Sequence, residues 1–392
     1  MALEISRQYL KFVDDELIRL WRLGRNAVVA WSPTEEGLDV LAVPQYLLPN
    51  LFNNHEEILV GSMQRSKEEL ALISDICEIE PYRIVIPSAI RSNSIGTRAL
   101  EYLTRRFGIT KLASKAVVLF DIVGFSRYSP LEQVTALNSL SYSINVAYQR
   151  TVENGLDVSL CHSTTGDGFY VWNRAEGVDA NIDLFCFLML VLADNSLGQR
   201  KGIATTVPVL RTGFHVGDCY EYFLAEGSRP GTGSYIVGNA TIQLARMVEI
   251  ALQNQILIGD FNVAENIGAA QASVPEGYDA AAFLEKAQKR LLEFKDVNLS
   301  REKVSGIKCY LTGHAEADGK FNICRYRFSD KHDFQHSVFN AKVNVYRASN
   351  EQIFLGRMTK DLEDFAADEI VIRPDTAIVS DPVVAPITGT AE

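Results

Sequence analysis

The sequence lacks the patterns that would assign it to several protein classes at once. Its six cysteines include no CxxC pair, so we expect buried free thiols rather than disulfides or a zinc site. Its longest apolar run, Leu184–Ala193, is about half as long as a membrane-spanning helix. Lys and Arg number 38 against 49 Asp and Glu, which argues against nucleic-acid binding through bulk charge. The N-terminal stretch is too charged for a signal peptide, and we expect a cytoplasmic protein with no membrane anchor.

The chain is long enough for one large or two ordinary domains. It has 392 residues, of which 47% are hydrophobic and 22% charged, an ordinary composition for a globular protein. Residues 5 to 23 predict an amphipathic helix, because apolar side chains recur on one helical stripe that stops at Gly24. We assign residues 1–110 to an N-terminal accessory region.

Strands and helices alternate from Lys115 onward. The pattern predicts a strand at Ala116–Phe120, a helix after Pro130, a hairpin over Asp157–Trp172, a buried helix at about 181–194, a strand pair over Leu210–Phe223, a helix from about Ala240 to Gln253 and a strand in "QILIGD". Because the long parallel run of a Rossmann fold is missing, we predict an α+β fold, a sheet with helices on one face. A central domain at 111–312 would precede a small C-terminal accessory region at 313–374 and a disordered tail at 375–392.

Three short motifs carry residues with candidate chemistry. In "VVLFDIVGFSRYS" a buried strand ends at Asp121, and Gly124 lets the chain turn close to a ligand. In "TTGDGFYVW" Asp167 lies at the tip of a tight turn, and two carboxylates on neighbouring strands are a ligand set for Mg²⁺ or Mn²⁺. In "YIVGNATIQLARM" a Gly-Asn turn opens a helix that carries Arg246 between apolar neighbours.

The order and spacing of these motifs resemble the class III nucleotide cyclases. "FDIVGFS" is similar to their first metal strand, F-x-D-I-x-G-F-T, and "TTGDGFYVW" to their second metal hairpin. "LRTGFHVGD" is similar to their R-x-G-[IL]-H-x-G strand, and "IVGNATIQLARM" to their W-G-x-x-V-N-x-A-x-R-M segment. The resemblance covers roughly Lys115 to Tyr310. It implies a ferredoxin-like core and the conversion of a nucleoside triphosphate to a cyclic nucleotide and pyrophosphate.

The resemblance also implies roles for individual residues at the reacting phosphate. Asp121, Asp167 and the backbone carbonyl of Ile122 would bind two divalent ions, Mn²⁺ or Mg²⁺. These ions would activate the ribose 3′-hydroxyl and hold the triphosphate. Arg246 would stabilise charge on the α-phosphate, since its planar fork suits phosphate better than the point charge of a lysine.

Further implied contacts concern the rest of the substrate and a second copy of the chain. Phe125 of the first motif would contact the substrate, and Lys303 or Lys308 would hold the terminal phosphates. The family builds its sites across a head-to-tail homodimer, so the metal ligands of one chain would face Arg246 of the other. The N-terminal helix has two candidate roles, reinforcing that dimer or packing on its own domain.

The sequence departs from the family pattern at three positions. Ile242 occupies the place of an Asn that orients the ribose, and Asn239 or Gln243 are candidates to replace it. Ser163 and Tyr235 occupy the base-recognition positions, where purine cyclases carry residues that pair with a purine edge. A bulky phenol favours a smaller base, because a purine adds a whole ring to the pocket.

This pocket resembles the pyrimidine cyclases of bacterial antiphage (Pycsar) systems. The resemblance implies cyclic UMP or cyclic CMP as the product, with UTP favoured, and a separate cyclic-nucleotide-binding effector as the receiver. The segment "FSDKHDFQHSVFNAKVNVYR" looks like the small extra domain of some of them. Two other hypotheses stay open, a purine cyclase with an unusual pocket and a catalytically dead cyclase-like dimer that senses nucleotide. We take His162 and His215, which flank the motifs, as structural residues rather than metal ligands.

Overall fold

The structure of the protein is a computed structural model. It describes residues 2–90, 96–156, 158–201, 206–263, 277–294, 297–317, 321–349 and 351–372. The tail predicted to be disordered, 375–392, lies outside these residues. Helices and strands alternate through the described part, which confirms the predicted mixture of α and β structure.

Eight α-helices occur among the described residues. They are α1 (Ala2–Trp21), α2 (Leu48–Phe52), α3 (Lys67–Cys77), α4 (Thr97–Arg105), α5 (Pro130–Glu153), α6 (Gly177–Lys201), α7 (Asn239–Ile250) and α8 (Ala280–Leu291). Local signals set their ends: α5, for example, begins at Pro130, and the Glu132 carboxylate accepts a hydrogen bond from the N–H of Ser129. Within the described ranges, no helix combines the length and the apolar character that a membrane crossing requires.

Seventeen β-strands occur in the same part of the chain. They are β1 (Asn26–Pro33), β2 (Gly37–Pro44), β3 (Tyr82–Val85), β4 (Ile109–Ile122), β5 (Leu160–Thr164), β6 (Gly168–Asn173), β7 (Leu210–Glu226), β8 (Arg229–Gly238), β9 (Ile256–Gly259), β10 (Asn262–Val263), β11 (Tyr278–Asp279), β12 (Val297–Leu299), β13 (Glu302–Leu311), β14 (Ile323–Ser329), β15 (Gln335–Arg347), β16 (Gln352–Gly356) and β17 (Asp368–Ile372). Twelve of these belong to one large sheet. The predicted strand pair over Leu210–Phe223 is wrong, because Gly217 and Asp218 continue a single strand, β7, instead of forming a turn.

The chain divides into two compact units, and β4 and β7 each run from one into the other. The first unit comprises Met1–Val117, Ser159–Gly177 and Val216–Ile242. The second comprises Val118–Val158, Val178–His215 and Gln243–Glu392. The domain boundaries drawn from the sequence stay predictions.

In the first unit α1 packs against the small sheet formed by β1, β2 and β3. Tyr9, Val13, Leu17 and Trp21 of its stripe share a buried cluster with Trp31 of β1. Val13 and Leu17 are fully buried, and a side chain of this type stabilises the fold by about 1.5–3 kcal/mol. The predicted stripe is confirmed, and it faces the helix's own unit.

In the second unit β15 is the strand with the most partners. It pairs antiparallel with β9, β13, β14 and β16. β9 in turn runs parallel to the first part of β7, and β17 pairs with β14. Strands from the predicted accessory region 313–374 therefore share a sheet with strands of the predicted central domain. Next to them, α6 is buried from Ala180 to Asn195, as its long apolar run predicts.

Candidate active site

Asp121, the first predicted metal ligand, lies where β4 ends. Residues Ala116–Phe120 are at most 5% exposed and Asp121 is 8% exposed, so its carboxylate is nearly buried. On β7, Arg211 Nε donates a hydrogen bond to Asp121 Oδ2 over 2.5 Å. A carboxylate taken out of water needs such a counter-charge. The sequence analysis quoted Arg211 within "LRTGFHVGD" and gave it no role.

The residues after Asp121 turn the chain away from the sheet. The side chain of Ile122 is 2% exposed and anchors the end of β4. Gly124 has φ +68°, in the left-handed region that favours glycine. Phe125 then begins a short 3-10 turn, where its half-buried ring lies edge-on to Tyr128 with centroids 6.4 Å apart. Phe125 thus borders the strand end that carries Asp121.

Asp167, the second predicted metal ligand, lies in the turn between β5 and β6. The N–H of Thr165 donates to the carbonyl of Gly168 over 3.0 Å and closes the turn. Asp167 is half-buried, and its Oδ1 lies 3.3 Å from the Thr165 hydroxyl, which donates to it. The predicted hairpin is therefore present, with the acid at its tip.

The two predicted base-recognition residues lie on strands of the first unit that contact each other, β5 and β8. Ser163 is opposite Tyr170, whose hydroxyl donates to the carbonyl of Thr241 over 3.2 Å. Tyr235 is opposite Tyr222, and their ring centroids are 6.1 Å apart. Both residues are half-buried.

The third motif opens α7 with a constrained glycine. Gly238 has φ +139°, and a Cβ there would lie 2.8 Å from Cα of Cys219, so only glycine fits. Asn239, the first residue of the helix, is exposed. Ile242, in the place of the family Asn, is 56% exposed.

Arg246 lies on α7 in the second unit and faces two acids. Its Nε is 3.2 Å from Asp330 Oδ2, and its Nη1 is 3.3 Å from Glu249 Oε2. Its side chain keeps 20% of its surface exposed, whereas that of Asp330 keeps 5%. The guanidinium is thus held in one orientation with part of its surface open.

Asp330 belongs to a polar network that also reaches Gln243. Partial burial alone would raise the pKa of Asp330, but the N–H of His332, the ring of His336 and the N–H of Phe334 outweigh it and hold the pKa at about 2. His336 lies with Nε2 3.2 Å from Asp330 Oδ2 and with Nδ1 2.6 Å from Gln243 Oε1. The Asp330 turn and the start of β15 therefore hold Arg246 and Gln243 of α7, and the sequence analysis missed both Asp330 and His336.

The remaining predicted residues are not gathered around Arg246. Lys303 is exposed near the start of β13, opposite Asn298. Lys308 lies with Nζ 5.8 Å from the ring centroid of Tyr346, a cation–π distance. Which lysine contacts phosphate stays a prediction.

The two histidines beside the motifs have structural surroundings. His162 is exposed, and its ring lies edge-on to Phe169 with centroids 5.9 Å apart. His215 lies edge-on to Phe261 at the same centroid distance, and its Nδ1 is buried without a hydrogen-bond partner. Burial first, and the charge of His336 second, lower the pKa of His215 to about 4. A neutral ring at this position agrees with a packing role.

Both predicted metal-ligand carboxylates have the chemistry that divalent ions need. Carboxylate oxygens are the hard ligands that Mg²⁺ and Mn²⁺ prefer. Each is at least partly shielded from water, and Asp121 already lies beside a positive charge that a metal ion can replace. Each carboxylate, taken by itself, therefore fits as a ligand of a divalent ion.

Comparison with known proteins finds similarity among solved structures. No family model matches the chain, and no curated protein matches it. The chain is similar to the guanylate cyclase domain of RhGC from Catenaria anguillulae in complex with GTP, with 16% identity, a TM-score of 0.31, and coverage of 43% of this chain and 95% of that one. It is similar to the guanylyl cyclase Cya2, with 12% identity, a TM-score of 0.34, and coverage of 59% and 92%. The adenylyl cyclase CyaB from P. aeruginosa gives 14% identity, a TM-score of 0.33, and coverage of 59% and 95%. Similarities of this size decide neither the reaction nor the site residues.

Proposed function

We propose that the chain is a class III nucleotide cyclase that converts UTP to 3′,5′-cyclic UMP and pyrophosphate. The observation that carries the proposal is the structural setting of the three motif residues. Asp121 is a nearly buried acid at a strand end, Asp167 is an acid at a hairpin tip, and Arg246 is a held cation on a helix that follows a Gly-Asn turn. Metal-assisted attack on a phosphate uses residues in such settings.

The proposed reaction makes one bond and breaks one. The ribose 3′-oxygen bonds to the α-phosphorus, the bond from that phosphorus to the pyrophosphate oxygen breaks, and the 3′-hydroxyl proton leaves to solvent. Two divalent ions held by Asp121, Asp167 and the carbonyl of Ile122 supply Lewis-acid activation and charge neutralisation when bound. Arg246 donates hydrogen bonds to the α-phosphate oxygens, where negative charge develops.

Other residues hold the rest of the nucleotide. Gln243 or Asn239 donates to the ribose in place of the amide that Ile242 lacks. Of these two, Gln243 has the better-defined orientation, because its Oε1 is held by His336 Nδ1 at 2.6 Å. Phe125 contacts the substrate from the turn after β4, and Lys303 or Lys308 holds the terminal phosphates.

The residues of the base pocket select UTP in this proposal. Ser163 and Tyr235 lie on adjoining strands and offer hydroxyls without a charged partner. Uracil presents O2 and O4 acceptors and an N3–H donor, which hydroxyls and backbone groups can satisfy. One hydrogen bond in a closed pocket is worth roughly 1–3 kcal/mol, a ten- to hundredfold preference. A pocket for the exocyclic amine of cytosine would more often use an acid.

The proposal extends to assembly and cellular role. Two chains form a head-to-tail homodimer, so that Asp121 and Asp167 of one chain complete a site with Arg246 of the other. The exposed apolar side chain of Ile242, close to Arg246 on α7, suits such a contact surface. The cyclic nucleotide then acts on a separate effector in antiphage defence, and the enzyme itself works in the cytoplasm.

One assay separates the proposal from its alternatives. The purified chain is incubated with each of the four nucleoside triphosphates and Mn²⁺, with an Asp121→Asn variant as the blank, and the products are identified by mass spectrometry. Cyclic UMP supports the proposal, and cyclic CMP makes the chain a cytidylate cyclase. Cyclic AMP or cyclic GMP as the main product favours the purine alternative. Nucleotide binding without any cyclic product identifies a sensor dimer.

A further inference from the structure

Three potential metal ligands converge in the second unit, away from the residues assigned to the nucleotide. His314, Cys324 and Glu369 each offer one ligand atom, and these atoms all lie within 4.8 Å of one another. His314 Nε2 is 2.5 Å from Glu369 Oε1, and Cys324 Sγ is 3.4 Å from the same oxygen. In the part of the chain that the structure describes, no other group of this kind was found.

The sheet brings the three residues together from distant parts of the sequence. On β14 and β17, Tyr326 is directly opposite Glu369, and Cys324 lies two residues before Tyr326 on the same face. His314 is fastened alongside by a pair of hydrogen bonds. Its N–H donates to Asn322 Oδ1 over 2.8 Å, and the N–H of Asn322 donates to its carbonyl over 3.0 Å. Cys324 and Glu369 are thus held by strand pairing, and His314 is held by its two hydrogen bonds with Asn322.

The three candidate ligands differ in how far they are buried. Cys324 is fully buried, whereas the side chain of His314 is 51% exposed and that of Glu369 is 33% exposed. Two of the three candidate ligands are therefore open to solvent. Beside the thiol lies the buried hydroxyl of Tyr326, which interacts with Cys324 and Thr359.

We propose that His314, Cys324 and Glu369 bind one Zn²⁺ ion, with a water molecule as the fourth ligand. Sulfur, imidazole nitrogen and carboxylate oxygen together suit zinc, while Mg²⁺ and Mn²⁺ favour oxygen ligands only. Binding releases the thiol proton of Cys324 to solvent, since zinc is held by the thiolate.

Binding requires a small rearrangement of the two exposed side chains. The hydrogen bond between His314 and Glu369 is replaced by two bonds to zinc, which sets their ligand atoms roughly 3.3 Å apart in a tetrahedral site. Both side chains have solvent on one side, so they can separate without displacing the core. The ion then fastens β17 and the His314 segment to β14.

The experiment measures zinc in the full-length chain without nucleotide. The protein is stripped with a chelator, reloaded and dialysed, and its zinc is measured by elemental analysis. We expect about one Zn²⁺ per chain, and we expect Co²⁺ loading to give the absorption band of a sulfur–cobalt bond. Cys324→Ser removes the band. Cys309→Ser is the matched control, because Cys309 is another buried thiol on a strand of the same sheet.

Variants of the two exposed ligands test the site even if the change at the buried Cys324 prevents folding. His314→Ala and Glu369→Gln change partly exposed side chains, and each should weaken zinc binding by more than about 100-fold, since even outer-shell changes cost 10–100-fold. Zinc should also raise the melting temperature of the wild type and not that of His314→Ala. Asp121→Asn should keep the zinc, which separates this site from the nucleotide metals. Equal zinc content in the wild type and His314→Ala, or cobalt loading without the sulfur band, overturns the proposal.

Discussion

The guanidinium of Arg246 lies against the carboxylate of Asp330, with Nε 3.2 Å from Oδ2. The contact is an ion pair and not an aligned hydrogen bond, because Nε has no hydrogen-bond partner. The backbone of the turn holds the other oxygen of Asp330 through the N–H groups of His332 and Phe334. The orientation of the arginine that we assign to the α-phosphate is therefore set by residues outside the resemblance to the cyclases.

Replacing Asp330 should impair turnover more than substrate binding. Asp330→Asn removes the charge that orients Arg246, and we expect kcat to fall by about 10- to 100-fold, the cost of misplacing a catalytic group, with KM changed little. Steady-state kinetics with UTP and Mn²⁺ measures both. Asp333→Asn in the same turn is the control, because Asp333 is exposed and its φ of +63° is one that Asn tolerates. Equal kcat in the two variants would contradict the positioning role.

The two predicted metal ligands should be indispensable to activity and dispensable to folding. Asp121→Asn and Asp167→Asn keep the side-chain volume and remove the charge, so we expect no detectable cyclic product from a protein with wild-type circular dichroism. Asp75→Asn, on an exposed face of α3, controls for charge loss and should be fully active. Activity in either ligand variant would rule out the two-metal site.

If two chains share each active site, two inactive variants should restore activity when they are mixed. Mixing Asp121→Ala with Arg246→Ala chains should restore about a quarter of wild-type activity, because half of the randomly formed dimers carry one intact site of two. Asp121→Ala mixed with Asp167→Ala should stay inactive, since both changes fall in the same half of the site. The site is not shared as we propose if activity recovers in the mixture of Asp121→Ala and Asp167→Ala. The same conclusion follows if the mixture of Asp121→Ala and Arg246→Ala recovers no activity although its chains are shown to exchange.

The base pocket predicts a change in substrate preference. Tyr235→Ala removes the phenol that limits pocket size, so purine turnover should rise relative to UTP turnover. Ser163→Ala should lower UTP turnover about tenfold by removing one hydrogen bond. Tyr222→Ala is the matched control, as Tyr222 is the cross-strand neighbour of Tyr235. Parallel assays with UTP, CTP, ATP and GTP measure these preferences. If the ratio of purine turnover to UTP turnover is the same in Tyr235→Ala and Tyr222→Ala, Tyr235 does not select the base.

His215 predicts how stability depends on pH. Its pKa is lowered from 6.5 to about 4 in the folded chain, so the unfolded chain binds the extra proton between these values. Its contribution to stability is complete above about pH 6.5 and is lost as the pH falls towards 4, by at most about 3 kcal/mol. Urea unfolding at a series of pH values should show a shallower pH dependence in His215→Gln. His162→Gln, which alters an exposed histidine, should keep the wild-type slope.

Local patterns in the sequence predicted the elements that present the site but not the contacts across it. β4, the β5–β6 hairpin and α7 follow from hydrophobic period and turn residues, which act over a few positions. The pairing of Arg211 with Asp121 joins residues 90 positions apart, and the pairing of Asp330 with Arg246 is also long-range. Both depend on which strands become neighbours, and a single sequence does not encode that in its local spacing.

The candidate zinc ligands illustrate the same limit. A short Cys spacing places ligands in one loop, and its absence led us to expect no zinc site. His314, Cys324 and Glu369 instead come from separate strands and segments that only the folded sheet brings together. Cysteine spacing can therefore predict zinc sites whose ligands lie in one loop, but it cannot predict sites whose ligands come from several strands of a sheet.

The position of β15 determines what the chain loses when its C-terminal segment is removed. A regulatory module can be exchanged between proteins when few contacts cross its boundary. Here the strand that follows the Asp330 turn pairs with four others, including β9 and β13. A premature stop codon or a proteolytic cut after α8 would remove the middle of the second unit's sheet together with the partners of Arg246 and Gln243. We therefore expect that a chain ending after α8 neither completes this sheet nor holds Arg246 and Gln243 in place.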